Sequence, residues 1–447
     1  MKRAQTFPNL NLRFLLALYQ LIWFFGLPLI IAYLYMRGRK DRTYFKHLSE
    51  RFGFHRLRQE QHIWLHAVSL GEIRLAAPLI ECLLQGSKPI VTTHFTPAGR
   101  REAERLFPAA VAEGRLTACY VPFDYSAALN RFFKAFRPAY GLVMEFEAWP
   151  GMIMSSRKIG LPLFLCNGQY TTHGLKRDQQ RYFSRAKIVA GFAGVMVKSE
   201  RQAERFRNLG VKHVAITGEM RFEQPIPQPQ IKEARALRKR ISERRPIITL
   251  ASIVEGEDAS ALALITNVQD HFARHKLPKP LFIYVPRAPE RFALVTEMIA
   301  EKGFTFATRS TVLDDDLKPP HPDKIADLDI LLGDSLGEMY FYLSLCDLAI
   351  VGGGFCPKGS HNICEPLSLG KPVIIGPNDY TIEFPAHEAI AAGVCLKMDF
   401  DEIAQLITQH PLQFCSPDAI EAFLACHSGG TAKTMVAIER FLGNIGE

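Results

Sequence analysis

The sequence predicts two doubly wound α/β domains behind one membrane-anchoring helix, and three observations carry this. A run near the N-terminus stays uncharged for about 23 residues, enough to cross a bilayer. Over the remainder, short and fully apolar stretches alternate with amphipathic ones, the pattern of parallel strands covered by helices on both faces. A proline-rich, basic interruption then divides the 447 residues into two halves of the same rhythm, more chain than one core serves.

The apolar run is Phe14 to Met36, "FLLALYQLIWFFGLPLIIAYLYM". At ~1.5 Å per helical residue it is long enough to span. Tyr19, Trp23, Tyr33 and Tyr35 are aromatic residues of the kind that settle at interfaces. A cleaved signal peptide fits poorly, because the run is too long and no small-x-small site follows it. Pro28 leaves a kinked, monotopic insertion as the alternative to a single pass. Lys2, Arg3 and Arg13 precede the run, and the denser "RGRKDR", Arg37 to Arg42, follows it. The positive-inside rule therefore puts the bulk of the chain in the cytoplasm, with basic residues beside anionic lipid heads.

Strand candidates in the first half are 63–69, 89–95, 140–147, 162–168, 194–199 and 214–219, with helix-like runs at Gly71–Leu84 and Thr96–Phe107. The interruption "RFEQPIPQPQIKEARALRKRISERRP" marks a boundary. Beyond it come strand candidates at 247–252, 281–287, 347–354, 372–377 and 393–398, then helical stretches, the last near 430–443 poised to pack back on the first domain. The expected division is an anchor with its basic flank over 1–43, a first Rossmann-like domain over 44–221, a linker over 222–245, and a second Rossmann-like domain with C-terminal helices over 246–447. Such sheets bind ligands beyond the carboxyl ends of their strands, with a cleft between the domains.

A net charge of +9 and a pI near 9.0 imply an anionic partner. Nucleic acid, lipid headgroups and phosphorylated substrates all qualify on charge alone. Nine widely spaced cysteines without a CxxC pair read as reduced thiols and not as a disulfide framework or a zinc site.

The polar residues that follow strands carry the chemistry. In "HAVSLGEIR" a strand turns into a helix through Ser69, and Glu72 stands at the helix start. Glu72 either complements the helix dipole or takes a proton from an attacking hydroxyl. In "EFEAWPG", Glu145 and Glu147 lie two apart and are expected on one side of the pleat, suited to sugar hydroxyls. Arg221, in "TGEMRFE", suits a phosphate or carboxylate. Ser252 and Glu255 follow the first strand of the second half, and Arg287 and Arg291 follow the next, an anion site in prospect. Finally, Gly352, Gly353 and Gly354 close a strand, and "KGSHNICEP" leads into a helix. Backbone N–H groups there suit phosphate, His361 and Asn362 can donate to phosphate or base, and Glu365, one turn inside the helix, suits ribose hydroxyls.

On these residues the chain resembles the bacterial 3-deoxy-D-manno-octulosonic acid (Kdo) transferases. The family pattern reads near "HAxSxGE", "PFD", "MExExWP", "TGNxKF", "STHEGE", "VPRHPER", "GGSF" and "GGHNxxEP…GKPVxxGP". This chain has "HAVSLGE", "PFD", "MEFEAWP", "TGEMRF", "SIVEGE", "VPRAPER", "GGGF" and "KGSHNICEP…GKPVIIGP", in the same order over most of its length. The resemblance implies a GT-B fold, two Rossmann-like domains facing a cleft. It implies inverting transfer from CMP-Kdo to a hydroxyl of a lipid A precursor, with no metal or cofactor, no nucleic acid partner and contact with inner-membrane lipids. By position it makes Glu72 the general base, sets Glu145 and Glu147 in the acidic motif on the acceptor side with Arg221 where the family has a lysine, and sets Arg287, Gly353, Asn362 and Glu365 on the donor side; the reading of the residues themselves adds Ser69 to the acceptor side and Ser252, Glu255, Gly352 and His361 to the donor side. The departures are Ala288 for a histidine, Ile253-Val254 for Thr-His, Gly354 for a serine, "NGQYTTHG" for a segment nearer "NARLS", Glu219 for an asparagine and Arg221 for a lysine. They leave as alternatives a paralogue with another donor or acceptor and an inactive nucleotide-sugar or lipid binder.

Overall fold

Each half of the chain builds one parallel sheet. The computed structural model describes residues 7–40, 42–181, 185–241, 245–321, 323–409 and 414–446. Lys2, Arg3 and Asp41 of the basic flanks lie outside the described residues. The chain divides into two units, Met1–Gln224 with Gly429–Glu447, and Pro225–Ser428.

The first unit opens with one helix, Leu10–Lys40, in which Pro28 is an interior residue. Asn9 starts it, its side-chain oxygen accepting the Leu12 N–H at 2.8 Å. Leu12, Leu15 and Leu34 are buried, whereas Phe14, Leu21, Phe24, Phe25 and Leu29 are exposed. Among the described residues it is the one helix long and apolar enough to cross a membrane. Its middle is held to the rest of its unit. Tyr19 OH donates to Asp124 Oδ2 at 2.8 Å, Gln20 Oε1 accepts the Ser126 N–H at 2.8 Å, and the Trp23 ring lies 5.7 Å from that of Phe123. Asp124 also accepts the N–H groups of Gly151 and Met152 at 2.8 and 2.6 Å. It thereby caps the helix Pro150–Lys158 and joins the "PFD" and "WPG" motifs.

The strands of this unit are β1 (Ile63–His66), β2 (Ile90–His94), β3 (Leu116–Tyr120), β4 (Tyr140–Met144), β5 (Leu163–Gly168), β6 (Gly194–Val197) and β7 (Val214–Ile216). They pair in the order β3-β2-β1-β4-β5-β6-β7, all parallel. Side chains alternate across the pleat. Trp64 joins Phe132, Val143 and Phe206 on one face, and Leu65 joins Ile80, Leu142 and Phe164 on the other. The last helix, Gly430–Gly446, adds Ile438 and Phe441 to the second of these faces.

The second unit contains β8 (Ile247–Ile253), β9 (Leu281–Pro286), β10 (Phe306–Thr308), β11 (Ile330–Leu332), β12 (Leu348–Val351), β13 (Val373–Ile375) and β14 (Cys395–Lys397). They are ordered β10-β11-β9-β8-β12-β13-β14 and all parallel. Residues 222–245, expected as a linker, contain the helix Gln228–Ile241, whose Ile231, Ala234, Leu237 and Ile241 are buried and whose Arg238 pairs with Asp347. Strands β3, β10 and β11 had no counterpart among the strand candidates. β3 and β10 are sheet edges, and β10 and β11 hold three residues each, so their apolar runs are short. All nine cysteines are free thiols.

Candidate active site

Because every strand of a sheet runs the same way, the residues that follow the strands collect along one edge. In the first unit that edge carries charged side chains. The chain leaves β1 through Ala67 and Val68, and Ser69 caps the helix Leu70–Leu84. Ser69 Oγ accepts the Glu72 N–H at 3.3 Å and donates to Glu72 Oε1 at 3.0 Å. Glu72 curls back so that Oε2 accepts the Val68 N–H at 2.8 Å. This is a capping box displaced by one residue, and it fixes the carboxylate in one orientation. Glu72 is half-buried. Burial pushes its carboxyl up to about 7, against the pull of the Val68 N–H and with help from the charges of Glu145 and Glu147. A base with its pKa near neutrality is matched to proton transfer at physiological pH.

The acidic pair is arranged differently from the expectation. β4 ends at Met144, and Glu145 takes a left-handed backbone with φ +55°. The two carboxylates therefore share a turn and not one side of a pleat. Glu145 pairs with Arg221, and Glu147 Oε2 accepts the Trp149 Nε1–H at 2.6 Å. Burial raises the Glu147 carboxyl above its ordinary range.

Arg221, expected to await a ligand anion, is engaged by two protein carboxylates, Glu145 and Glu219. Glu219 is fully buried and is the hub of a network that single-strand reasoning missed. Its Oε2 lies 2.8 Å from Lys198 Nζ and 3.2 Å from Arg221 Nη1, and its Oε1 accepts from Asn167 Nδ2 at 2.9 Å. Asn167 Oδ1 in turn accepts the Met220 N–H at 3.1 Å. Burial works to raise the Glu219 carboxyl, but Lys198 and Arg221 bring it down to about 2. These residues follow or end β5, β6 and β7, which are neighbours in the sheet.

In the second unit the corresponding edge is built from glycines and main chain. Gly353 has φ +89°, and a Cβ there would stand 2.4 Å from Gly359 O, so only glycine fits. Buried Glu257, not singled out from the sequence, organises this loop. Its Oε2 accepts the N–H groups of Val254 and Gly353 at 3.1 and 2.8 Å, and its Oε1 that of Phe355 at 2.9 Å. The expected backbone cradle is therefore largely taken up internally. The same is true of the following helix, Cys364–Ser368, where Asn362 Oδ1 accepts the Cys364 N–H at 2.9 Å. Glu365 is its second residue, not one turn inside.

Of the expected donor-side residues, Arg287 is exposed, and His361 and Asn362 are half-buried. His361 Nε2 is buried with no hydrogen-bond partner among the described residues. Burial, with Arg287 nearby, lowers its imidazole to about 4, so it stands neutral at physiological pH. Ser252 has φ +58° where the pairing of β8 with β9 shifts register, and exposed Glu255 lies 3.6 Å from Lys358. Arg291 is withdrawn from the anion site expected of it, because it pairs with Asp258 and donates to Ile253 O at 3.0 Å. Among the described residues no group of three His, Cys, Asp or Glu side chains is placed to hold a metal ion.

Residues 46–224 match the family model described as 3-Deoxy-D-manno-octulosonic-acid transferase (kdotransferase). The chain is 35% identical over 386 residues to the 3-deoxy-D-manno-octulosonic acid transferase of Bordetella pertussis, covering 85% of this chain and 87% of that protein. It is 30% identical over 372 residues to the transferase of the same name from Haemophilus influenzae, covering 80% and 81%. A solved glycosyltransferase from Rickettsia africae shares the fold, with a TM-score of 0.54 at 11% identity over 87% of this chain and 100% of that one. The chain thus belongs to the 3-deoxy-D-manno-octulosonic acid transferase family and has the two Rossmann-like units of a GT-B glycosyltransferase.

Proposed function

We propose that this enzyme transfers Kdo from CMP-Kdo to a hydroxyl of a lipid A precursor, with inversion, at the cytoplasmic face of the inner membrane during lipopolysaccharide core synthesis. The observation that carries this reading is Glu72, a half-buried carboxyl held by Val68 and Ser69 and raised to about 7. In its ionised form it takes the proton of the acceptor hydroxyl. The oxygen then forms its bond to the anomeric carbon from the face opposite the leaving group. The bond from that carbon to the phosphate oxygen breaks, and its electron pair leaves with CMP. Glu145, Glu147 and Arg221, with Ser69, line the acceptor side. Arg287, His361 and Asn362 meet the phosphate and base, Glu365 the ribose, and Ser252, Glu255, Gly352 and Gly353 shape the donor loop. We read the step as metal-independent, so chelators leave its rate unchanged.

Two departures from the family pattern are coupled by packing. The pattern has serine where this chain has Gly354, and glycine where it has Ser360. A Cβ built on Gly354 would stand 2.0 Å from Ser360 Oγ. Ser360 is buried and its hydroxyl donates to Asn378 O at 3.2 Å, so the two changes accommodate each other inside the loop.

The helix Leu10–Lys40, with its exposed apolar face, supports attachment to the inner membrane. Its contacts through Tyr19, Gln20 and Trp23 favour a helix seated along the flank of its unit over one that crosses the bilayer alone. Inverted inner-membrane vesicles supplied with CMP-Kdo, which does not cross the bilayer, test the reading. Wild type makes a Kdo-bearing lipid. Glu72→Gln binds CMP normally and loses about 10²–10⁴-fold in kcat. An undiminished Glu72→Gln rate would remove the base, and transfer only after the vesicles are opened would remove the cytoplasmic assignment.

A further inference from the structure

The peptide group between Ala67 and Val68 lies where β1 leaves its sheet. β1 and β2 pair in register as far as His66 and Thr93, and the Ala67 N–H still reaches Thr93 O at 3.1 Å. A regular parallel ladder would next send the Phe95 N–H to the Ala67 carbonyl. Here the Phe95 N–H donates to Val68 O at 3.1 Å, joined by the Thr96 N–H at 3.3 Å. The Ala67 carbonyl is met by a side chain, with His94 Nδ1 2.8 Å from its oxygen. At the other end of the same planar peptide, the Val68 N–H donates to Glu72 Oε2 at 2.8 Å.

The direction of these bonds follows from their chemistry. A carbonyl only accepts, so His94 Nδ1 carries the proton. Nε2 is then an acceptor, and Thr92 Oγ1, 3.0 Å away, donates to it. Thr92 and His94 lie two apart in β2, share one face of its pleat and are fully buried. Burial, with Arg100 nearby, lowers the His94 imidazole to about 4, so at physiological pH the ring is neutral and keeps this tautomer. Hydroxyl, imidazole, peptide and carboxylate thus all donate in one direction, and each donor polarises the next.

We infer that His94 is a positioning residue for Glu72, acting through the peptide that joins Ala67 to Val68. The ring fixes the plane of that peptide, so its N–H faces the carboxylate, and by donating to the carbonyl it makes the N–H a stronger donor. The Val68 N–H favours the ionised form of Glu72. Loss of the His94 donor therefore raises the Glu72 pKa. The consequence for rate rests on the reading of Glu72 as the base; the consequence for its ionisation does not.

Three full-length variants test the inference, with thermal unfolding recording damage to packing. In His94→Asn the amide nitrogen falls where Nδ1 stood, so the donor is kept. In His94→Gln the amide reaches the Nε2 position and the carbonyl loses its donor. His94→Leu has no donor. The first readout is the Glu72 carboxyl itself, followed by infrared difference spectroscopy against pH with Glu72→Gln as the blank. The second is the kcat/KM–pH profile of transfer. In His94→Gln and His94→Leu, we expect the Glu72 pKa and the acid limb to rise by about half a unit to one unit. That is about a three- to tenfold loss of ionised carboxylate along the limb. His94→Asn keeps the wild-type values even where its unfolding temperature falls. The other charges that bear on the pair are unaltered: Glu145 and Glu147 on Glu72, and Arg100, paired with Glu50 and Glu104, on His94. Buried His66, lowered to about 3, is neutral throughout. A carboxyl that does not move in His94→Gln or His94→Leu, whichever folds, makes His94 a core side chain and overturns the inference. So does a rise that His94→Asn shares in full. An infrared shift with an unmoved rate profile upholds the positioning and removes Glu72 as the base, so the two readings fail separately.

Discussion

The two units present the same sheet edge in opposite ways. In the first, the residues after the strands carry acidic and basic side chains. Glu145, Lys198, Glu219 and Arg221 hold one another in place through pairs that join the ends of β4, β6 and β7, whereas Glu72 is held by Val68 and Ser69 and Glu147 by Trp149. In the second, the edge is glycine and main chain, with Glu257 turned inward as a brace that accepts three backbone N–H groups. The contrast fits two kinds of work. Deprotonating a hydroxyl needs a carboxylate whose pKa its neighbours set. Admitting a nucleotide closely needs backbone without Cβ atoms in the way.

Three substitutions would break or sharpen this contrast. The largest effect is expected at Glu219→Gln, which leaves buried Lys198 without a countercharge and costs about 3–5 kcal/mol by denaturant unfolding. The Glu219 carboxyl is depressed, so its contribution is complete above the ordinary value of 4.5 and is lost as pH falls toward about 2. The variant's stability should lack that acid dependence, and a variant as stable as wild type would reduce the network to a bystander. Next is Gly353→Ala, which meets Gly359 O in a left-handed backbone. We expect ~1–3 kcal/mol of strain and a matching loss in CMP affinity by calorimetry. Unaltered affinity would separate the glycine loop from the donor. The smallest effect is Glu145→Gln. Burial dominates the raised pKa of Glu72, and the charge of Glu145 adds to it. Neutralising that charge lowers the Glu72 pKa, so the acid limb of the kcat/KM–pH profile moves to lower pH. A limb that stays put or rises would detach Glu145 from the base.

The parallel sheets were legible because their central strands are continuous apolar runs, and Glu72 was legible because a strand, a small-residue turn and a helix start are adjacent in the chain. Glu219 stood out only as a departure from a pattern. Its partners Asn167 and Lys198 lie 52 and 21 positions away, and only the neighbouring order of β5, β6 and β7 brings them together. Glu257 sits inside a stretch already singled out, but two of the three N–H groups it accepts, those of Gly353 and Phe355, are 96 and 98 residues further on. Arg291 failed for a related reason: a position after a strand says where a side chain begins, and the partner that claims it, Asp258, comes from another element.

Asp124 joins the apolar helix to the acidic turn, since one carboxylate serves Tyr19, Gly151 and Met152. Trimming the chain ahead of β1 to obtain a soluble enzyme would therefore do more than cut a tether. It would strip a hydroxyl from a buried acid and uncover apolar surface beside the very segment that carries Glu147 and Trp149. What such a preparation lost in turnover would measure a damaged joint as much as a missing bilayer.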